Sequence, residues 1–575
     1  MKKLINDPRD VVGQMLEGLV GLDERLALLA GENVVLRRDA AELAARGGVA
    51  LISGGGAGHE PAHAGYVGEG LLTAAVSGDV FTSPSTDAVL AAIRAVGGQA
   101  GVLLIVKNYT GDRLNFGLAA DIARTEGIPV EMVIVDDDVA LGAGGGAGRR
   151  GIAGTVLVHK VAGACAAAGL PLAEIKAEVE AAIAATGTMG VALSGCTVPG
   201  ADSAGFDLAA NEIELGLGIH GEAGIERAHL DGADALVETL IDRIVADRGF
   251  GANDQTALLV NGLGGTPPME LAIVARAALA ALRKRGITVR RSWCGSNLTA
   301  LDMQGCSLSL MRLDAGRLAR LDAPAFSASW QAGATPPVEP NRVRMAAGAV
   351  SVEATAAELG PKARRFRHVL GAISHAIRVQ EARLTTLDQA VGDGDLGFSL
   401  RRGADALDKA FAGNLPADEA SLLRLVSQTL RRSIGGTSGP LYAIAALRAS
   451  EVLRKTNDPS AHAWAEALTA SCTGISELGG AARGDRTMLD ALIPAAEAFS
   501  GAVGSGAPVS TALAQAVTAA RQGAAATAGM TPRKGRSSYL GDRVAGHPDP
   551  GAEAVAIWLA ALAHEFSEAG AEAKP

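Results

Sequence analysis

Three aspartates within one short stretch carry the sharpest chemical signal in this 575-residue chain: Asp388, Asp393 and Asp395, in the sequence DQAVGDGD. They stand at i, i+5 and i+7, with Gly392 and Gly394 between them. Glycine lets the backbone fold tightly enough for the carboxylates to converge. Such a cluster repels itself when left alone. A hard divalent cation resolves the repulsion, and Mg2+ takes oxygen ligands and usually shares them with nucleotide phosphates. The bland alternatives are a solvated acidic turn or a calcium loop; the EF-hand pattern fails because no glutamate falls at its closing position.

A second set of reactive residues lies in the first half. Gly54 to Pro61 reads GGGAGHEP, placing His59 beside glycines that leave backbone N–H groups open to a ligand oxygen. Taken alone the glycines describe a tight turn, but a titratable ring at the C-terminal end of a strand is where α/β sites form. Lys107 and Asp112 follow another apolar run, in KNYTGD. They read either as a salt bridge or as a substrate-orienting cation and a general base. If the strand ends carrying His59 and Asp112 converge, the pair forms an acid–base set for activating a hydroxyl. His220 sits in GLGIHGE. Glycine neighbours make it either an exposed turn or an unhindered imidazole, and a neutral imidazole nitrogen adds to a carbonyl to give a hemiaminal.

Weaker signals accompany the aspartates in the second half. Gly435 to Pro440, GGTSGP, leads into a helical segment and suits an anion site at a helix N-terminus, or a plain interhelical turn. Gly484 to Asp490, GDRTMLD, starts another helix. Gly535 to Gly541 and Gly546 to Gly551 lie in a loop-rich stretch, where Arg536 is either a phosphate-reaching fork or a solvated arginine.

These residues need elements to position them. Val49–Ser53, Gly101–Val106, Val130–Val135, Thr256–Val260 and Ile287–Arg291 are short apolar runs suited to strands buried on both faces. Thr86–Val96 and Asp112–Arg124 have helical spacing. The pattern predicts an α/β region over 1–333 with two lobes, about 1–187 and 188–333. Residues 334–358 are Pro-rich and without periodicity, which marks a linker. From 359 to 575 the strand signal vanishes. Lys362–Arg383, Ser421–Arg431, Leu441–Lys455, His462–Leu478 and Pro508–Ala528 carry helical apolar spacing, predicting an all-helical unit.

Composition sets the outer limits. At roughly 100–200 residues per domain, three or four compact units are expected. Hydrophobic residues reach 48% and aromatics only 3%, so the core is aliphatic. A net charge of −10 argues against nucleic acid or an anionic membrane as partner. The five cysteines form no CxxC pair and read as reduced thiols of a cytoplasmic protein. Neither a signal peptide nor a transmembrane run is expected.

GGGAGHEP, GDVFTSPS (Gly78–Ser85), KNYTGDRLNFG (Lys107–Gly117) and ELGLGIHGE (Glu214–Glu222), in this order and spacing, resemble the substrate-binding subunit of dihydroxyacetone kinases. The blocks of the second half resemble the nucleotide-binding subunit of the same family, so the resemblance covers nearly the whole chain except the linker. It implies a covalent hemiaminal on His220, with His59 and Asp112 as acid–base partners and Gly56, Ala57, Gly58 and Lys107 as substrate contacts. It also implies that Asp388, Asp393 and Asp395 hold two Mg2+ ions at one end of an antiparallel helical barrel. Leu396, Gly397, Phe398, Ser399, Thr437, Ser438, Met488, Arg536, Asp549, Pro550 and Gly551 would line the ATP. Leu396 departs from the polar residue that family members often have there, so only its backbone matches the family's contact at that position.

A reversible covalent bond suits a small ketose, which offers few groups for other recognition, and it discriminates against glycerol, which has no carbonyl. In the family resembled, split members draw phosphate from a phosphotransferase relay whereas fused ones use ATP; with both halves in one chain and no phosphocarrier domain expected after them, ATP is the expected donor. A flavin-cleaving lyase, a tetrulose kinase and a non-catalytic sensor are the alternatives, and the intact aspartate set argues against the sensor. A homodimer is implied by the family. No P-loop sequence occurs, and Gly142–Gly148 matches a dinucleotide loop only loosely.

Overall fold

The apolar runs of the first half are buried on both faces because each becomes a central strand. The computed structural model describes residues 2–571, except 143–147, 221–223, 343–360, Asn414, 456–458, Gly535 and Leu540, and except the side chains at 362, 363, 536, 539, 542, 543 and 568–571. The 143–147 part of the glycine run, most of the expected linker, and Gly221 and Glu222 thus lie outside the described residues. The chain divides into two units, Met1–Arg342 and Val343–Pro575.

Unit 1 holds two sheets. The first comprises β1 (Leu26–Leu28), β2 (Val34–Arg37), β3 (Ala50–Ala57), β4 (Ala74–Val80), β5 (Val102–Lys107) and β6 (Val130–Val135), ordered β1-β2-β4-β3-β5-β6. Pairings β4–β3–β5–β6 are parallel, so the ends of β3 and β5 emerge side by side. The second sheet comprises β7 (Thr186–Ala192), β8 (Glu212–Leu215), β9 (Glu226–His229), β10 (Gln255–Gly262), β11 (Thr288–Gly295) and β12 (Gly305–Arg312), ordered β11-β10-β12-β7-β8-β9. Only β10 and β11 run parallel there; the other pairings are antiparallel.

Strand alternation sorts the core into layers. Ala50, Ile52, Val102 and Leu104 pack against helices Thr86–Val96 and Thr110–Thr125. Leu51, Leu103 and Ile105 face the other way, onto helices Thr155–Ala167 and Leu172–Ala184, and the same cluster takes in Ala257, Leu259 and Met311 of the second sheet. Helices Ala233–Arg248 and Pro268–Lys284 cover that sheet's other face. A core shared between the sheets explains why the contacts define two units in the chain where length alone suggested three or four.

Among the described residues of unit 2 there are nine α-helices: Pro361–Val379, Glu381–Val391, Leu396–Phe411, Glu419–Ser433, Ser438–Leu453, Ala461–Gly479, Leu489–Gly504, Val509–Ala526 and Pro550–Ala571. Short connections make successive helices antiparallel. From Glu381–Val391 onward each packs on the next, and Pro550–Ala571 returns against Pro361–Val379, closing a barrel. Alanines at many contacts permit close approach, and an apolar cavity of about 660 Å³, walled by Leu400, Tyr442, Trp464 and Phe499, runs inside. The run expected as one helix over Lys362–Arg383 breaks at Gln380, whose N–H is shared between the Ala376 and Ile377 carbonyls. Four of the five cysteines are buried and Cys294 is exposed; all are free. No described helix is long and apolar enough to cross a membrane.

Two glycines in unit 1 helices test this packing. A Cβ on Gly163 would lie 2.1 Å from the Gly70 carbonyl oxygen, with backbone that cannot yield, whereas one on Gly117 meets nothing within 4 Å. Gly163→Ala is expected to cost about 1–3 kcal/mol. Gly117→Ala, mid-helix, is expected to gain roughly 0.5–1 kcal/mol. Urea denaturation midpoints read both signs.

Candidate active site

The C-terminal end of β3 turns through glycines into His59. Gly56 has no room for a side chain, since a Cβ would lie 2.5 Å from the Thr82 amide nitrogen, and Gly58 takes φ +100° beside the Phe81 ring. The turn is tied down by the Glu60 carboxylate, which accepts from the Gly58 N–H at 3.1 Å. Ala57 is buried at the end of the strand. His59 is itself fully buried, and its Nδ1 lies 2.9 Å from the Thr299 carbonyl oxygen. A carbonyl only accepts, so the hydrogen sits on Nδ1 and Nε2 carries the lone pair; Nε2 has no hydrogen-bond partner. Burial pushes the His59 pKa well below the ordinary histidine value, and the charges of Lys107 and His220 push the same way.

Beside it, β5 ends on Lys107, and Asp112 lies in the first turn of helix Thr110–Thr125. Both are buried. Gly55 makes their approach possible: a Cβ there would stand 3.0 Å from Lys107 Nζ and 3.5 Å from Asp112 Oδ2. Asp112 Oδ1 has no hydrogen-bond partner. Burial raises the Asp112 pKa and the Lys107 ammonium pulls it partly back, while burial lowers that of Lys107 against the opposing charges of Asp112, Glu60 and Asp137.

His220 reaches the same place from the second sheet, on the loop after β8. Its ring meets those of Tyr109 at 4.5 Å, His59 at 4.9 Å and Phe81 at 5.5 Å, all edge-on. Burial drives its pKa down to about 3, helped by Lys107 and Arg150, so the imidazole is neutral at physiological pH. Arg150 holds the loop: its guanidinium bonds Asp138 at 2.7 Å and the Gly216 carbonyl at 2.6 Å. Neutral imidazoles, a carboxylate and an ammonium therefore lie together behind aromatic walls, a set able to add to a carbonyl and take a hydroxyl proton.

In unit 2 the three aspartates straddle a helix break. Asp388 lies in the last turn of Glu381–Val391, and Asp395 is the N-cap of Leu396–Phe411. One carboxylate oxygen from each of Asp388, Asp393 and Asp395 lies within 4.8 Å of the others. Gly394, at φ +76°, makes the bend, and Asp388 accepts from the Leu396 N–H at 3.0 Å. An all-oxygen anionic set of this size fits Mg2+.

In an alternating barrel every second connection falls at one end, and those at 392–395, 434–437, 480–488 and 527–549 share the end with the aspartates. Gly397, wedged against Thr385, and Ser399 lie in the first turn after the aspartates; Phe398 is exposed. Arg402 bonds Ser399 and approaches Gly435, just before Thr437 and Ser438 at the start of the next helix. Met488 touches Gly551, which follows Asp549 and Pro550. Asp549 caps its helix through the Ala552 N–H at 2.8 Å, and burial raises its pKa to about 6 despite Arg486. Arg536 lies in the turn Arg536–Tyr539, but its side chain falls outside the described residues.

Several positions gave no readable signal. Thr299 acts through its carbonyl, which any residue supplies. Arg150 and Asp138 look like ordinary charges in sequence. Arg486 in GDRTM is fully buried at φ +62° and donates to the His547 carbonyl at 2.8 Å, joining two of the loops.

Two modules, one with a buried imidazole pocket and one with an acidic helix break, define a two-domain chain. Residues 17–329 match the model of the Dak1 domain and residues 390–564 that of the DAK2 domain. The chain belongs to the dihydroxyacetone kinase family, with both domains fused in one polypeptide. It is 45% identical to the putative 3,4-dihydroxy-2-butanone kinase of Solanum lycopersicum, over 99% of this chain and 98% of that protein. It is 43% identical to the human triokinase/FMN cyclase, over 98% of each. The crystal structure of the C. freundii dihydroxyacetone kinase with AMP-PNP and Mg2+ superposes with a TM-score of 0.63 at 36% identity, covering 98% of this chain and 99% of that one.

The depressed pKa of His220 has a measurable cost in acid. Unfolded, the ring binds a proton below its ordinary value of 6.5, whereas the folded ring resists until about pH 3. The unfolded state thus gains protons first, and stability falls with pH across that window by up to about 1.4 kcal/mol per pH unit for each such histidine. His220→Asn is expected to lose less stability than wild type between pH 6.5 and 4.5, by up to one proton's slope, in urea titrations at each pH.

Proposed function

We propose that the chain transfers the terminal phosphate of ATP to a hydroxyl of a short hydroxyketone of the dihydroxyacetone type, while His220 holds the ketone carbon covalently. The observation that carries this reading is the His220 ring itself, kept neutral by burial and set 4.9 Å from a second imidazole whose Nε2 is unpartnered. In this reading the lone-pair nitrogen of His220 bonds to the carbonyl carbon as the C=O π bond breaks, and the proton released from the other ring nitrogen is balanced by the one the oxygen takes up, giving a neutral hemiaminal with its hydroxyl. His59 Nε2, with Asp112 close by, accepts the proton of the hydroxyl to be phosphorylated. Lys107 donates to a substrate oxygen, and the β3 turn at Gly56, Ala57 and Gly58 admits the ligand against bare backbone.

Asp388, Asp393 and Asp395 would hold two Mg2+ ions, which when bound neutralise phosphate charge. The segments at Leu396–Ser399, Thr437–Ser438, Met488, Arg536 and Asp549–Gly551 would line the nucleotide. Support comes from the all-oxygen donor set, and from the AMP-PNP and Mg2+ in the related C. freundii structure. The tomato relative's name, a butanone kinase, keeps four-carbon ketones in view. A second reading, cyclisation of a flavin nucleotide at the same nucleotide site, is favoured by the FMN cyclase named in the human relative.

An ADP-release assay over three- and four-carbon ketoses, with a parallel product analysis on FAD and Mn2+, identifies the substrate. His220→Ala is expected to lower kcat/KM for the ketose by roughly 10²–10⁴-fold and to abolish the mass adduct with dihydroxyacetone, while nucleotide binding survives. A wild-type protein with no adduct on His220 refutes covalent capture. Asp393→Asn is expected to do the reverse, retaining the adduct while Mg2+-dependent nucleotide binding, read by calorimetry, weakens by about tenfold or more.

A further inference from the structure

Behind the pocket, Lys107 meets a row of buried polar groups, His63, His159 and Ser53, that the reaction above does not use. Lys107 at the end of β5, His63 in the turn after β3 and His159 in helix Thr155–Ala167 are all at most 5% exposed. Lys107 Nζ stands 2.9 Å from His63 Nε2. His63 Nδ1 stands 3.0 Å from His159 Nε2 and 3.3 Å from Ser53 Oγ. The Ser53 hydroxyl gives its hydrogen to the Ile105 carbonyl at 2.7 Å, so its oxygen is left to accept. His159 Nδ1 ends the row without a hydrogen-bond partner.

Hydrogen-bond chemistry orders this row. An ammonium has only donors, so it requires the lone pair on His63 Nε2. The His63 hydrogen then sits on Nδ1 and is donated to His159 Nε2, shared with Ser53, which leaves the His159 hydrogen on Nδ1. Each ring is neutral in this arrangement, and a proton added to His63 would put a donor against a donor. Among the described residues no carboxylate lies within ion-pair distance of Lys107 Nζ. The groups whose charges face it are Asp112, Glu60 and Asp137 among acids and His59, His63, His159 and His220 among bases. One ammonium hydrogen is taken by His63; the Gly55 opening lies between Nζ and Asp112 on the pocket side.

We propose that His63, its tautomer held by His159, is a positioning residue: it anchors the Lys107 ammonium so that the remaining N–H groups present to the oxygen of a bound short hydroxyketone. This rests on the kinase reading above. Removing the acceptor leaves a buried ammonium with no protein partner; it turns within its site and gives up its proton more readily.

The test is kinetic, on the full chain. His63→Leu is expected to raise KM for dihydroxyacetone by about ten- to a hundredfold, as for losing a hydrogen bond to a charged group, with KM for ATP unchanged. The basic limb of its kcat/KM profile moves to lower pH, because the charged form of Lys107 has lost its acceptor. His63→Gln, whose amide oxygen still accepts, restores most of both. In a Lys107→Met background, His63→Leu adds no further loss, since the effect runs through the lysine. If His63→Leu does not fold, the cycle is run with His63→Asn, whose shorter amide does not reach Nζ. An unmoved KM and pH profile, or a full additional loss on top of Lys107→Met, overturns the role of His63 while leaving the kinase reading standing. A wild-type chain that turns over no ketose overturns that reading and this inference with it.

Discussion

Burial and one buried ammonium keep the imidazole rings of unit 1's pocket unprotonated, the state in which a ring nitrogen is able to add to a carbonyl. Burial makes the charged form of each ring costly, and a buried lysine ammonium nearby raises the cost further. Lys107 acts on His59, His63, His159 and His220 alike, always against protonation. One cation so placed holds the surrounding histidines neutral, and in the proposed reaction the same group meets a ligand oxygen. The aliphatic core around it supplies the low polarity on which both effects depend. The parallel strands β3 and β5 deliver the turn at His59 and the Lys107 side chain to the same edge.

Unit 2 presents the opposite arrangement, charges that repel one another gathered in one place. Three carboxylates converge at a helix break exposed to solvent, where water tempers their repulsion. Glycine is favoured on structural grounds at Gly394, which adopts a left-handed conformation, and a Cβ on Gly392 would stand 2.6 Å from Asp388 Oδ1 and oblige that carboxylate to shift. The loops that share this end are bound to each other by small contacts, such as Arg486 to the His547 carbonyl, so the barrel presents a preformed rim of backbone and short side chains.

Much of this was legible in sequence because the informative residues are either strongly periodic or chemically unusual. Val130–Val135 and Thr86–Val96 appear with the bounds their spacing predicts. β7 and β12 were missed because threonine, serine and glycine fill them; their burial depends on cross-strand partners such as Thr188 and Ser309, whose hydroxyls meet at 2.8 Å. The motifs around His59, Lys107 and His220 stand out by their glycines and charges, and the structure brings them together. What no local pattern conveys is the contact that sets the His59 tautomer, a main-chain oxygen 240 residues away. Nor does spacing disclose that the histidine of PAHAG lies behind Lys107 while that of GHEP lies in front.

The loop between β11 and β12 also bears on how the pocket behaves mechanically. Beside the Thr299 carbonyl bond, the Thr299 hydroxyl donates to the Glu60 carbonyl, the Leu301 N–H to the Gly58 carbonyl, and the Tyr66 hydroxyl to the Asn297 carbonyl. These links stitch one sheet to the other beside His59, over a common core. A hinge between the lobes would have to tear all of them at once. Any relative movement of the two sheets at this edge is therefore coupled to these bonds, and the turn that carries His59 moves with the β11–β12 loop.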